Sequence, residues 1–165
     1  MLVLRCTQRV LRRFQLKPID SELVSSGVLG DWYANLLNLG SRRYVLCQSE
    51  RALLPVIVPA RNDSFPAEFG QTLLKVLRAL GIPDAAAAQE VAAAGEVQIA
   101  RTRSRQVLGA MNDFAFNAQV YLSHPRTHDP ALEACVKLAE MPSKPIGYES
   151  PGRLAISLFR SPGVN

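Results

Sequence analysis

The 165-residue sequence lacks the features that define several specialised classes of protein. No apolar run approaches the ~20 residues that a membrane helix requires, and Arg5 ends the apolar start of the chain too early for a secretory leader. Its three cysteines, Cys6, Cys47 and Cys135, are an odd number, far apart and without a CxxC pair, so no disulfide framework is indicated. We therefore expect a cytoplasmic protein with reduced, buried thiols and no membrane association.

Motifs of the familiar enzyme classes are also missing. No GxGxxG, P-loop, HExxH or GxSxG pattern occurs. His124 and His128 have an HxxxH spacing, but Pro125 prevents the helical turn that would bring them together, and no nearby residues complete a ligand set. Cys47 has no local signature of thiol catalysis. The sequence therefore predicts no metal site and no cofactor.

Acidic residues are absent from residues 1–17, which contain four arginines and Lys17. The rest of the chain carries equal numbers of basic and acidic residues, so the net charge of +5 resides in this first segment. Fifteen of the nineteen basic residues are arginine. The planar guanidinium group suits bidentate phosphate binding, but an arginine bias together with the alanine-rich residues 85–94 is also what a GC-rich genome produces.

Hydrophobic periodicity predicts the element order β-α-β-β-β-α-α-β-α-α-α. The predicted strands are 2–6, 30–37, 44–48, 53–58 and 96–100, and the predicted helices are 7 to 14 or 16, 66–80, 83–94, 104–122, 129–140 and 151–159. Pro55 and Pro59 favour a short or edge strand at 53–58, and residues 141–151 read as an extended crossing. Hairpin-linked strands followed by helices favour one α+β domain over residues 1–165, with a mostly antiparallel sheet of about five strands packed by helices and a frayed end at 161–165.

Two groups of arginines are candidate binding residues. We expect Thr7 to cap the first helix, on which Arg9, Arg12 and Arg13 share one face through their i, i+3, i+4 spacing. If the strand at 96–100 continues, three further arginines point to one side just before a helix N-terminus capped by Ser104, where an anion is favoured; they are Arg101, Arg103 and Arg105. The alternative is a solvated strand end whose arginines pair with acids.

Polar residues at two places in the first half of the chain are also candidates. Asp31 and Asn35 share a face on a helix or on a strand, and form either one wall of a polar pocket or a solvated surface. Glu50 lies in a predicted turn, where it is either an exposed partner of Arg51 or a pocket residue.

The predicted helix 104–122 carries a stripe of Arg105, Gly109, Asn112 and Phe116 on one side. Glycine within a helix costs about 1 kcal/mol relative to alanine, and Asn112 and Asp113 are also unfavourable in mid-helix. Residues that are unfavourable within a helix indicate either a functional site or a buried polar network at this position.

Three blocks of sequence resemble those of a family of small bacterial proteins classed as a domain of unknown function. They are GDWYANLL at residues 30–37, SERALLPV at 49–56 and SRQVLGAMNDFA at 104–115, and the segment 138–151 is similar as well. The resemblance covers nearly the whole chain and implies a single domain. It implies no activity, cofactor or catalytic residue.

These observations leave three hypotheses for function. The favoured one is a nucleic-acid-associated binding or regulatory protein that uses its arginine-rich face. The alternative is an enzyme acting on a phosphorylated or otherwise anionic small molecule, with Asp31, Glu50 or Asp113 as general base or metal carboxylate and Arg105 holding the anion. The third is a protein-interaction module that docks through the Gly109 face and the proline-rich segment 141–151.

Overall fold

A computed structural model of the protein describes residues 1–19, 22–61 and 64–161. Within these residues the strands are β1 (Leu2–Cys6), β2 (Trp32–Leu39), β3 (Arg42–Ser49), β4 (Pro55–Pro59) and β5 (Val97–Arg101). The helices are α1 (Gln8–Arg13), α2 (Phe65–Ala79), α3 (Asp84–Ala93), α4 (Arg105–Ser123), α5 (Pro130–Ala139) and α6 (Pro151–Arg160). A short 3₁₀ helix, Lys144–Ile146, interrupts the segment predicted as extended.

The strands form one mixed sheet in the order β4-β3-β2-β1-β5. β2, β3 and β4 make an antiparallel meander, whereas β1 pairs in parallel with β2 on one side and with β5 on the other. The two antiparallel ladders contain more paired residues than the two parallel ones. The predicted α+β class, the mostly antiparallel sheet and the order of the strands and α-helices are therefore confirmed.

One face of the sheet is covered by α1 and α2. The buried indole of Trp32 meets the ring of Phe69 on α2 edge-on, with ring centroids 5.1 Å apart. Phe14, directly after α1, lies 5.1 Å from Phe65 at the start of α2. These contacts result from the helical spacing of the apolar residues of α2, whose buried side chains recur every three or four positions.

The opposite face carries the side chains of Tyr33, Leu37 and Leu46, which are all buried. α4 contacts β2, β3 and α5. α5 contacts β4, and its first turn lies beside Tyr44 and Pro59 on this same face. The sheet is therefore buried between two layers of helices, and apolar side chains lie on both faces of its central strands.

Three local predictions can be compared with the structure. β4 is an edge strand, as Pro55 and Pro59 indicated. Ser104 caps α4 by accepting a hydrogen bond from the amide of Val107 at 3.2 Å. The prediction that Thr7 caps α1 with its side chain was wrong, because its hydroxyl instead donates to Oδ1 of Asn35 on β2 at 2.9 Å.

Several element boundaries differ from the sequence-based expectation, and two of these differences affect the candidate arginines. α1 ends at Arg13, one to three residues early. β5 ends at Arg101, so Arg103 and Arg105 do not continue the strand. Of the predicted frayed end, all but Ser161 lies outside the described residues. No helix in the described part of the chain has the length and apolar character needed to cross a membrane.

Candidate functional site

A buried ion pair lies where β1, β2 and β5 meet. Nε of Arg5 on β1 donates to Oδ2 of Asp31 at 2.7 Å, and both side chains are almost fully buried. The other guanidinium nitrogens of Arg5 donate to the carbonyls of Arg101 and Leu23, each at 3.2 Å. The amide of Ser25 donates to the second carboxylate oxygen of Asp31 at 2.8 Å. Arg5 is thus held in one orientation by three separate segments of the chain.

The strand register explains why these two residues meet. Arg5 pairs with Tyr33 across the parallel β1–β2 ladder, so both side chains point to the same face of the sheet. Asp31 precedes Tyr33 by two residues and therefore projects from that face as well. A charged residue in the buried strand β1 requires a partner, because an unpaired buried charge is strongly unfavourable.

Arg103 links this buried pair to the surface. Its Nη2 lies 3.2 Å from Oδ2 of Asp31 and 3.9 Å from Oε1 of Glu50, while its side chain remains 45% exposed. The hydroxyl of Tyr33 donates to the same Glu50 oxygen at 3.4 Å. Burial and the adjacent Glu50 carboxylate raise the pKa of the Tyr33 phenol. Asp31, Tyr33, Glu50 and Arg103 therefore form one connected polar cluster.

A cavity of about 770 Å³ opens beside this cluster. Three arginines line it, Arg5, Arg101 and Arg103, together with Glu22. The remaining wall is formed by Pro18, Ile19, Ala100 and Thr102. The volume is in the range of sites for small molecules, and arginine side chains favour ligands that carry phosphate or carboxylate groups.

The position of the cavity follows from the sheet topology. β1 and β5 are adjacent and parallel, and their last residues, Cys6 and Arg101, are register partners. After these strands the chain enters α1 on one face of the sheet and α4 on the other, so a crevice forms at their carboxyl ends. Nη1 of Arg101 donates to Oε1 of Gln8 on α1 at 3.2 Å, which joins the two sides. Crevices of this kind are the usual ligand sites of sheets with parallel strands.

Three of the candidate residues, Asp31, Glu50 and Arg103, lie together in this polar cluster. Asp31 is buried and already accepts three hydrogen bonds, so it positions Arg5 and Arg103. Glu50 does not pair with Arg51, contrary to the simple turn prediction, because Arg51 donates instead to the carbonyl of Val28 at 3.3 Å. The expected row of three arginines is absent, since the end of β5 at Arg101 allows Arg103 to turn toward Asp31.

Other candidates lie outside the cavity. Arg9 and Arg12 are exposed on α1 and form no ion pair with any described residue. Arg13 is half-buried, its guanidinium carbon lies 5.1 Å from the ring centroid of Phe14, and its buried Nε has no hydrogen-bond partner among the described residues. Asn35 accepts hydrogen bonds from Thr7 and from the amide of Leu36.

The candidates on α4 are all on its surface. Arg105, Asn112 and Asp113 are exposed, as is Gly109 between them. The hypothesis of a buried polar network around Gly109 and Asn112 was therefore wrong. Asp113 shares no hydrogen bond or ion pair with Asp31 or Glu50 among the described residues.

Sequence reasoning missed Arg5 and Glu22 as wall residues. The signal for Arg5 is a charge in the middle of the otherwise apolar strand β1, which is typical of a buried pair. It also missed a second cavity of about 540 Å³ near the β2–β3 turn, lined by Arg42, Arg43, Arg61 and His128 among others. The adjacent pair of arginines directly after the Gly40 turn could have indicated it. The described residues contain no group of three or more potential metal-ligating side chains.

The comparisons with known proteins bear on this site only through the family. No curated protein and no solved structure matches the chain. A family described as a domain of unknown function, DUF6933, matches residues 3–154, a span that contains the whole polar cluster and the blocks at 30–37, 49–56 and 104–115. The resemblance to a family of unknown function is confirmed at this level, and the bacterial origin that it implied stays a prediction. The chain belongs to the family DUF6933.

Proposed function

We propose that this protein binds a phosphate-bearing small molecule in the cavity at the carboxyl ends of β1 and β5. The observation that carries the proposal is the set of three arginines that line one cavity of about 770 Å³. The three buried thiols without a disulfide fit a cytoplasmic protein, and this location forms part of the proposal.

The three arginines contribute differently. Arg5 is fixed in place by Asp31 and by two backbone carbonyls, so it offers a rigid positive wall. Arg103 shares Asp31 with it but keeps much of its side chain accessible. Arg101 is exposed and has no carboxylate partner among the described residues; its guanidinium donates to the neutral side chain of Gln8. Arg101 is therefore the group most available to form a bidentate contact with phosphate.

Calorimetric titration with inorganic pyrophosphate tests the proposal. We expect saturable binding at one site in the wild type, and at least a tenfold loss of affinity in Arg101→Gln, because a hydrogen bond to a charged group contributes about 1.5–3 kcal/mol. Arg153→Gln is the matched control: this exposed arginine on α6 lines none of the described cavities, and the change in net charge is the same. Equal affinities for all three proteins would refute the assignment of the cavity.

Nucleic acid is the second candidate partner, and a separate observation favours it. Arg9 and Arg12 are exposed on one face of α1 without an ion pair among the described residues. Such unpaired arginines can displace the counterions of a phosphate backbone, which makes binding fall steeply with salt. Arg13 is unsuitable for the test, because its stacking on Phe14 means that charge reversal would also disturb packing.

A salt-gradient elution from immobilised single-stranded DNA separates the two candidates. If the α1 face binds nucleic acid, Arg9→Glu combined with Arg12→Glu elutes at much lower salt than the wild type, whereas Arg101→Gln changes elution little. If the cavity binds a small molecule only, wild type and double variant both elute at low salt, and pyrophosphate affinity is unchanged in the double variant. Strong retention that neither variant alters would contradict the role of the α1 face.

A further inference from the structure

The exposed face of α4 has the composition of an interface although no described residue covers it. Arg105, Gly109, Asn112, Phe116 and Val120 recur at helical spacing along this face and are all exposed. The Phe116 side chain is 70% exposed and Val120 one turn later is 51% exposed. Two neighbouring apolar side chains with this exposure on a regular helix are more than the scattered single residues that a monomer surface normally carries.

The same face carries little charge and contains an open gap. Among the 19 residues of α4 the charged ones are Arg105 and Asp113, and interface cores are likewise depleted in charge. Apart from the neighbouring backbone of α4 itself, a Cβ atom placed on Gly109 would have no described atom within 4 Å, so the space above it is open. Glycine at this position costs helix stability, and packing within this chain does not explain its presence.

We propose that this face binds a second copy of the chain, with the two α4 helices antiparallel about a two-fold axis. Seven residues, about two helical turns and roughly 10 Å, separate Gly109 from Phe116. They are equidistant from the point between Asn112 and Asp113. A two-fold axis at that point therefore places the Phe116 ring of each copy in the gap above Gly109 of the other, so the same contact forms twice.

The charges of the face suit this arrangement. Arg105 at the start of one helix faces Val120 and the free carbonyls at the end of the other helix, where the helix dipole favours a cation. Asn112 of one copy lies opposite Asp113 of the other, so its amide can donate to the carboxylate. A parallel arrangement would lose both contacts and would set the Phe116 rings against each other.

Sedimentation velocity over a concentration series tests the dimer. We expect a wild-type dimer that dissociates at least tenfold more readily in Phe116→Glu. The matched control is Tyr148→Glu, which changes charge equally at an aromatic side chain that is 68% exposed in a loop, and it should dimerise like the wild type. Gly109→Leu should also lose the dimer while the chain stays folded by circular dichroism, because the added side chain fills the gap that the ring needs. A wild-type monomer throughout, or a dimer that Phe116→Glu leaves intact, would overturn the proposal.

Cysteine cross-linking tests the position of the axis independently. The native thiols of Cys6, Cys47 and Cys135 are buried, so an added surface cysteine reacts selectively. Under mild oxidation Asn112→Cys, next to the axis, should form a disulfide between two copies, whose Cβ atoms must approach to about 4 Å. Ser123 lies eleven residues from Asn112 on the same helix, or about 16 Å along its axis, so Ser123→Cys should not form this disulfide. Equal cross-linking of both variants would exclude the antiparallel register.

Discussion

Removing the negative charge of Asp31 should destabilise the protein far more than removing a surface carboxylate with the same kind of partner. Asp31→Asn keeps the shape of the side chain but leaves the guanidinium of Arg5 buried without its counter-charge. Breaking a buried pair in this way costs about 3–5 kcal/mol. With a urea dependence of roughly 2 kcal/mol per molar, the midpoint of unfolding should fall by about 1.5–2.5 M.

The chain supplies a matched control. Arg78 and Asp84 form the same type of contact, Nε to Oδ1 at 3.0 Å, but both side chains are more than half exposed. Asp84→Asn should therefore cost less than about 1 kcal/mol. Urea unfolding followed by the fluorescence of the buried Trp32 measures both variants on one scale. If Asp31→Asn lowered the midpoint no more than Asp84→Asn does, water would have to reach Arg5, and the proposed rigid wall of the cavity would not exist.

Three further predictions concern groups outside the cavity. Burial raises the pKa of Glu90, so the stability that Glu90 contributes is lost as pH rises through its folded-state pKa. The urea midpoint of the wild type should therefore fall above about pH 4.5, and Glu90→Gln should lack the part of that fall due to Glu90. The same dependence of the urea midpoint on pH in both proteins would contradict this. The carboxylate of Glu90 accepts hydrogen bonds from the backbone amides of Val28 and Leu29 at 2.7 and 3.2 Å. An added Cβ at Gly27 would lie 2.5 Å from Oε1 of Glu90, so Gly27→Ala should displace the carboxylate from these amides and cost about 1–3 kcal/mol in urea unfolding. An unchanged midpoint would show that the side chain moves freely. Burial raises the pKa of Cys6 and Cys135 to about 12 and that of Cys47 well above its usual value. A thiol reagent at pH 8 should therefore label no cysteine in the folded protein and all three after unfolding. Rapid labelling of the folded protein would contradict the burial of these thiols.

The elements of the fold could be predicted from local patterns because each pattern is set by nearby residues. The apolar spacing of α2 and the prolines of β4 determine a helix and an edge strand without reference to the rest of the chain. The pairing of Arg5 with Asp31 could not be predicted in the same way. These residues are 26 apart, and the parallel register of β1 and β2 that brings them together depends on how α1 returns the chain.

The position of Arg103 illustrates a second limit. The alternation of arginine with smaller residues predicted that Arg103 lies beside Arg101 and Arg105 on an extended strand. β5 instead ends at Arg101, where its pairing with Cys6 of β1 ends. Arg103 then turns toward the buried carboxylate of Asp31, which its Nη2 reaches at 3.2 Å. Similarly, the glycine and the two polar residues of α4 indicated an unusual face, but periodicity alone could not tell whether that face was buried or exposed.

The most direct test of the account is to map where a phosphate probe binds. In a titration of ¹⁵N-labelled protein with inorganic pyrophosphate, amide shifts should move saturably at residues 100–103 and at Ile19 and Glu22, which border the cavity. The same titration of Arg101→Gln should show much smaller shifts there. Shifts confined to α1, or to the second basic cavity around Arg42 and Arg61, or no shifts at millimolar pyrophosphate, would contradict the proposal that the carboxyl ends of β1 and β5 form the binding site.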